Sequence, residues 1–337
     1  MKGLIKRLPM LTVSLALAGW VISRTDWPRL GELFASSLRP GWLPIFAVTG
    51  PLLTVVSAWK WRSLLAARGQ HDGLLPLAGL YVTGQFYSNV LPSSTGGDVV
   101  RAELARRRHG KDQSRSTVYA AITAERFTGL FVLLVLALGA LALTPAAWQR
   151  GALIGLAGAG VAFASAVMAA VASRRVGRFS ARLGQRFTPL AGPAAKLQRF
   201  QADLWAYADH RGAPLNALLE SLAFYAVGAA SVALAAMCFG LPVDAHLAWT
   251  ALVATVLVLV ITLLPISING VGLWEFAFSE VFDLFGYGRE LGLAVALILR
   301  FRDVTWSITG FLLATLLMKN IPPAEEQSTT PKTEPAE

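Results

Sequence analysis

Charge is what this sequence has least of. Only 15% of its 337 residues are Asp, Glu, Lys or Arg, and 55% are hydrophobic, where a soluble domain carries roughly 25% charged residues. Most side chains therefore face something other than water, which excludes an ordinary soluble enzyme. Acidic residues are the scarcer sign, 20 against 30 Lys and Arg, for a net charge of +10. Such a balance could serve nucleic acid, but the basic residues sit between hydrophobic runs. That distribution fits the positive-inside rule and anionic lipid headgroups, and no nucleic-acid partner is expected. A single cysteine, Cys238, excludes an intrachain disulfide and a cysteine-based zinc site. The histidines His71, His109, His210 and His246 lack metal-ligand spacing. No Gly-x-x-x-x-Gly-Lys-Ser/Thr run is present, so no nucleotide-binding loop of that type is expected. No cofactor and no metal are assigned.

What is there is a series of apolar runs near the length that crosses a bilayer. Full spans are expected near 8–23, 42–58, 117–143, 151–172, 214–240 and 290–318. Lys2, Lys6 and Arg7 before the first run, with Ala16-Leu17-Ala18 inside it, resemble a signal peptide. The run continues through Trp20, Val21 and Ile22, so it is read as an uncleaved first span. Two further segments, 76–92 and 247–265, each end in Leu-Pro followed by small and polar residues: Leu91-Pro92-Ser93-Ser94-Thr95-Gly96-Gly97 and Leu264-Pro265-Ile266-Ser267-Ile268-Asn269-Gly270. Proline lacks the N–H and glycine is a poor helix former, so helices should break at both places. Broken backbone at membrane depth is tolerated only inside protein or beside a water-filled cavity.

The basic residues set the expected topology. Arg101, Arg106, Arg107, Arg108, Lys111 and Arg115 form one cluster. Arg174, Arg175, Arg178, Arg182, Arg186, Lys196 and Arg199 form another. Both fall in the cytoplasm if 76–92 enters the membrane and returns. The second broken segment then enters and returns from outside, and both termini are cytoplasmic. Two inverted units result, each a span, a broken segment and a span. Laid over each other, Pro92 meets Pro265, Ser94 meets Ser267 and Gly97 meets Gly270. Paired broken helices in inverted halves point to a transporter-type central site. The expected fold is an all-α polytopic membrane protein, about six full transmembrane helices plus two re-entrant broken helices in inverted repeats. Residues 1–320 form this domain. Within it, 173–213 repeats Phe179, Leu183, Phe187, Leu197, Phe200, Leu204 and Tyr207 among basic residues, as one or two amphipathic helices on the cytoplasmic leaflet would. The Pro-, Thr- and Glu-rich tail, 321–337, is expected to be disordered.

Ionisable residues sit in or beside these runs: Asp98, Arg101, Glu103, Glu125, Arg126, Glu220, Glu275, Glu280, Arg300, Arg302 and Asp303. A charge at the bilayer centre costs roughly 2.5–3.5 kcal/mol, so each must pair, reach an interface or line a wet cavity. Gly96 and Gly97 open a helix start, with Asp98 next and Arg101 one turn on. Exposed backbone N–H groups beside an arginine form a candidate phosphate site, and Arg126 after Glu125 offers a second cation. The plain alternative is mutual pairing of Asp98 or Glu125 with an arginine. In the second half, Gly270, Gly272 and Glu275 precede Arg300; a Glu275–Arg300 pair is the plain reading, and a gate or a contact to a headgroup amine the sharper one. Asn89, Ser94, Ser267 and Asn269 are further candidates, donating to exposed backbone or to substrate.

Together these segments resemble the transmembrane, flippase-like domain of the lysylphosphatidylglycerol synthase family. The resemblance rests on Gly84-Gln85-Phe86-Tyr87-Ser88-Asn89-Val90-Leu91-Pro92, Gly96-Gly97-Asp98-Val99-Val100-Arg101, Glu125-Arg126-Phe127-Thr128-Gly129 and Leu264-Pro265-Ile266-Ser267-Ile268-Asn269-Gly270-Val271-Gly272-Leu273-Trp274-Glu275. It implies inverted repeats with re-entrant helices and movement of lipids between leaflets. Full-length synthases carry a soluble aminoacyl-transfer domain after the membrane part, and this chain is expected to lack it. Position 274 is tryptophan where many relatives carry arginine. The expectation is an inner-membrane lipid translocase, or an accessory to one, for an anionic phospholipid, glycolipid or polyprenyl-phosphate lipid. Two alternatives stay open. One is a scaffold recruiting a separate lipid-modifying enzyme. The other is an embedded lipid transferase, for which Asp98 and Glu103 are the near carboxylate pair, at a spacing that puts them on different helix faces.

Overall fold

The computed structural model describes residues 8–90, 96–108, 115–144, 151–208, 212–264, 266, 267 and 270–318. Among these residues the fold is all helical. The helices are α1 (Leu8–Arg24), α2 (Trp27–Glu32), α3 (Leu43–Ala66), α4 (Leu74–Val90), α5 (Gly96–Arg108), α6 (Arg115–Leu143) and α7 (Gly151–Ala172). They continue as α8 (Arg174–Arg186), α9 (Thr188–Ala208), α10 (Ala213–Met237), α11 (Ala245–Thr262), α12 (Leu273–Leu284) and α13 (Arg289–Met318). Pro92, Ser94, Pro265, Asn269 and the tail from 319 lie outside the described residues. The comparison of Pro92 with Pro265, and of Ser94 with Ser267, lies outside them too.

Among the described residues, five helices are long and apolar enough to cross a membrane: residues 40–66, 117–143, 151–170, 213–237 and 245–262. Their outer faces bear this out. On α3, Ile45, Val48, Leu52, Val55 and Trp59 are exposed at helical spacing, while Trp61, Leu64 and Leu65 are buried. An apolar stripe left bare suits hydrocarbon rather than water. Three expectations about individual segments change. The expected first span, 8–23, is α1, a helix of 17 residues that is shorter than any of the five. The segment at 247–265, set apart from the full spans, holds α11, an apolar helix of 18 residues that is long enough to cross; the helix ends at Thr262, beside the expected break. The expected span 290–318 is a helix of 30 residues, but it is not among the five. Arg300, Arg302 and Asp303 at its middle interrupt the apolar run, and the helix accommodates them by pairing.

Each break folds the chain back on itself. Helices α4 and α5 form one hairpin, and Asp72 just before it meets Arg108 at its end, 3.9 Å apart. The two backbones touch closely at glycines: a Cβ at Gly97 would overlap the Gly84 carbonyl and the Ser88 hydroxyl. Helices α11 and α12 form the other. His246 Nδ1 at its start lies 2.9 Å from the Tyr287 hydroxyl just past its end. Gly272 begins α12 at φ +80°, and Glu275 Oε2 accepts from its N–H at 2.8 Å. This side chain satisfies a donor that the helix start leaves without an intrahelical partner.

The larger apolar core joins α10, α11, α12 and α13, around Leu257, Ile261, Phe278 and Phe282. A second core joins α3, α4, α5 and α6 around Trp61, Leu80, Ala102 and Ala121. A smaller cluster, with Leu133, Tyr225 and Val256, lies on α6, α10 and α11. Within the basic segment 173–213, α8 and α9 pack against each other as a hairpin. Gln201 donates to the carbonyls of Ala170 and Ser173 at 3.3 and 3.1 Å, and Arg174 stacks over Trp205 at 4.7 Å. Phe179 remains exposed on its outer face.

Candidate functional site

The hairpin of α4 and α5 presents its polar face to α6. Arg101 on α5 is buried, 2% exposed. Its Nη2 lies 3.0 Å from Glu125 Oε2 and 3.2 Å from Asp98 Oδ1. The guanidinium stacks on two rings, 4.6 Å from Trp61 and 4.3 Å from Tyr81. Tyr81 also donates to Glu125 Oε1 at 2.9 Å. Arg126 grips Asp98 through two nitrogens, Nε to Oδ2 at 3.1 Å and Nη2 to both oxygens at 3.0 and 2.8 Å. The two pairs differ in exposure. The Arg101–Glu125 side chains are 2% and 8% exposed, and the Arg126–Asp98 side chains 63% and 22%. A buried pair leaves a costly bare charge when broken; the Arg126–Asp98 pair is open on the side of the smaller cavity, which both residues line.

Two cavities adjoin here. One of about 260 Å³ is lined by Thr54, Tyr81, Gln85, Ser88, Asp98, Arg101, Arg126 and Asp303 among others. The other, about 430 Å³, is lined by Lys60, Glu125, Arg126, Glu220, Ser221 and Tyr225 together with Leu130, Leu133, Leu259 and Leu263. Ser57, Tyr81, Arg126 and Phe224 belong to both walls. The first cavity is polar for much of its lining. The second joins a polar end to an apolar one, inside the range of roughly 300–1,000 Å³ common for small-molecule sites.

Of the residues singled out from sequence, Asp98, Arg101, Glu125 and Arg126 come together as one cluster. Gly96 opens α5, and Gly97 supports the cluster by letting α5 approach α4. Asn89 is used in packing: its Nδ2 donates to Ser307 Oγ at 2.9 Å, tying α4 to α13. The second-half residues are not part of the cluster. Glu275 Oε1 accepts from Arg300 Nε at 2.7 Å, the plain reading of that pair. Gly272 and Glu275 build the cap of α12. Gly270 stands where a Cβ would lie 3.5 Å from Thr262, a residue of the larger cavity. Ser267 lies in the bend between α11 and α12 and lines neither cavity. Ser94 and Asn269 lie outside the described residues. Glu103 turns away from Asp98 to Arg106 and Arg107, at 2.6 and 3.2 Å, so the two carboxylates do not work as a pair. Arg302 reaches Asp303 at 2.6 Å and Thr49 Oγ1, also at 2.6 Å.

Sequence reading missed Lys60, Ser57, Tyr81 and Ser221. Lys60 fell just past the end expected for its span, residue 58, where a lysine reads as a flanking charge. The helix runs on to Ala66, which puts Lys60 inside it. Its neighbours Trp59 and Trp61 were the available signal, since they carry the apolar run past residue 58 and put Lys60 inside it. Among the described residues, no three His, Cys, Asp or Glu side chains gather in a way that could hold a metal ion.

The model of the lysylphosphatidylglycerol synthase TM region matches residues 10–310. The chain belongs to this family. The match takes in both hairpins and the whole cluster around Arg101, so this member of the lysylphosphatidylglycerol synthase TM region family is an integral, multi-pass membrane protein. No curated protein and no solved structure matches the chain.

Proposed function

We propose that this protein is a lipid translocase, or the membrane component of one, for an anionic phospholipid, glycolipid or polyprenyl-phosphate lipid. The observation that carries the proposal is the pair of adjoining cavities. A lipid is polar at one end and apolar at the other, and so is the larger cavity, with Lys60 and Arg126 at one end and leucines at the other. A headgroup entering bare hydrocarbon loses its hydration, and a polar lining lowers that cost. In this reading a phosphate meets Arg126, displacing Asp98 from an exposed pair, while the buried Arg101–Glu125 pair holds the frame. The acyl chains stay with the apolar walls and the bilayer.

The membrane setting completes the proposal. The hairpins α4–α5 and α11–α12 enter from opposite faces and return, making the two halves inverted repeats. Support comes from the closing contacts at each base, Asp72 with Arg108 and His246 with Tyr287. The basic clusters then face the cytoplasm of a bacterial-type inner membrane, with both termini on that side. The partners are anionic membrane lipids, and a separate lipid-modifying enzyme would supply or use them. The protein itself is assigned no bond-making step.

The test uses purified protein in vesicles. It should speed exchange of an anionic fluorescent phospholipid or polyprenyl-phosphate lipid between leaflets, without ATP. If a panel of anionic lipids moves no faster than in empty vesicles, with and without a proton gradient, the translocase reading gives way to a scaffold for another enzyme.

A further inference from the structure

The three cations that line the cavities, Arg101, Arg126 and Lys60, are not equivalent. Arg101 and Arg126 are both held by carboxylates. Lys60 is only 6% exposed, and its ammonium donates to the Glu125 backbone carbonyl at 2.7 Å and to Ser221 Oγ at 2.6 Å. Both acceptors are neutral. An ammonium has three N–H donors, and among the described residues no ion pair or further hydrogen bond uses the last. Space is kept beside it by Gly129, where a Cβ would lie 3.5 Å from Nζ and 3.8 Å from the Tyr225 hydroxyl.

Glu220 lines the same cavity and is also only 6% exposed. Its two oxygens lie 2.8 and 2.7 Å from one donor, Ser63 Oγ. No cation pairs with it among the described residues. The larger cavity thus presents an ammonium and a carboxylate that do not pair with each other. A buried charge with no counter-charge in direct contact is costly unless something else completes it.

The ligand that completes both is an oxyanion that still carries a proton. A phosphate diester offers only acceptor oxygens and would be repelled by Glu220. A phosphate monoester in its singly charged form has acceptor oxygens for Lys60 and Arg126, and one P–OH to donate to Glu220. We propose that the larger cavity is a phosphate-monoester subsite, in which Lys60 binds the oxyanion and Glu220 selects the monoester by accepting a hydrogen bond from its P–OH group. The leucines beyond it favour a monoester at the end of a lipid chain, such as a polyprenyl phosphate or a phosphatidic acid. The lipid assignment rests on the translocase reading; the phosphate chemistry is shared with free phosphate.

Binding in detergent micelles tests the subsite without requiring transport. The probes are fluorescent phosphatidic acid and phosphatidylglycerol of matched chains, a monoester and a diester. The full chain should bind the monoester tighter by roughly tenfold or more, the worth of one charge-assisted hydrogen bond. Glu220→Gln should bring the two lipids to near parity. Lys60→Gln should weaken the monoester by roughly tenfold, Lys60→Arg should retain it, and Gly129→Leu should block it by filling the space beside Nζ. The last two variants carry the test if Lys60→Gln fails to fold. Inorganic phosphate that displaces the probe as well as lipid monoester does would make the free ion the ligand and overturn the lipid assignment; failure to displace supports it. Equal affinity of the wild type for both lipids, or discrimination unchanged in Glu220→Gln, overturns the proposal. Selective binding without lipid movement in vesicles would keep the subsite and defeat translocation. Movement of both lipids with equal affinity would defeat the subsite alone.

Discussion

Arg101→Gln removes a charge that the fold is built around. Arg101 and Glu125 are 3.0 Å apart with side chains 2% and 8% exposed. At an effective dielectric of about 20, two unit charges at that separation attract by about 5 kcal/mol. Breaking one side of a buried pair costs about 3–5 kcal/mol, because the other charge is left without its partner. Stacking on Trp61 and Tyr81 adds up to about 2 kcal/mol where the cation is desolvated. Arg101→Gln should therefore lower stability by about 3–5 kcal/mol or more. Arg101→Lys should recover only part, since an ammonium cannot lie flat between two rings. Glu125→Gln should be comparably harmful. The double variant bears no bare charge at this pair and should be less destabilised than the two single effects added, by about 3 kcal/mol. The measurement is denaturant unfolding of purified protein in mixed micelles, followed by tryptophan fluorescence. Single effects within about 1 kcal/mol of wild type, combining additively, would refute the claim that this pair holds the frame.

Arg126→Gln should behave oppositely. Its side chain is the more open of the two arginines, 63% exposed against 2% for Arg101, so stability should fall less than in Arg101→Gln while copurifying anionic lipid decreases; thermal unfolding and lipid extraction on one preparation check both. Gly97→Ala puts a methyl against the Gly84 carbonyl and should destabilise by about 1–3 kcal/mol, with faster hydrogen exchange confined to α4 and α5. For topology, Cys238 is replaced and single cysteines are placed at 109, 195 and 287. The first two should label only from the cytoplasm and the third only from outside. Labelling of 109 from outside would overturn the re-entrant reading of the first hairpin.

Much of the fold is legible from one dimension of information. The apolar runs at 117–143, 151–172 and 214–240 correspond to α6, α7 and α10, because a run of that length has one cheap solvent and one way to satisfy its backbone in it. The breaks were legible for the same reason, since proline and glycine act on the local backbone. The helix ends were less so. The span expected to stop at residue 58 runs to Ala66, since Lys60 finds acceptors on α6 and α10 that no local pattern reveals.

The site divides along the same line. Sequence alone placed Asp98 and Arg101 at a helix start and Glu125 and Arg126 at the entry of the next span, and required that such charges pair, reach an interface or line a wet cavity. It could not choose the pairs, because α5 and α6 meet only once the hairpin folds back. That packing gives Arg101 to Glu125 and Arg126 to Asp98, and among the described residues it leaves Lys60 without a carboxylate in direct contact. The depth of each charge is likewise tertiary, since the same arginine chemistry yields a 2% exposed frame at Arg101 and a 63% exposed contact at Arg126. Composition and periodicity are sums along the chain, so the sequence by itself determined a multi-pass helical protein with two breaks. Pairing and burial are distances across it, and those only the packed structure decided.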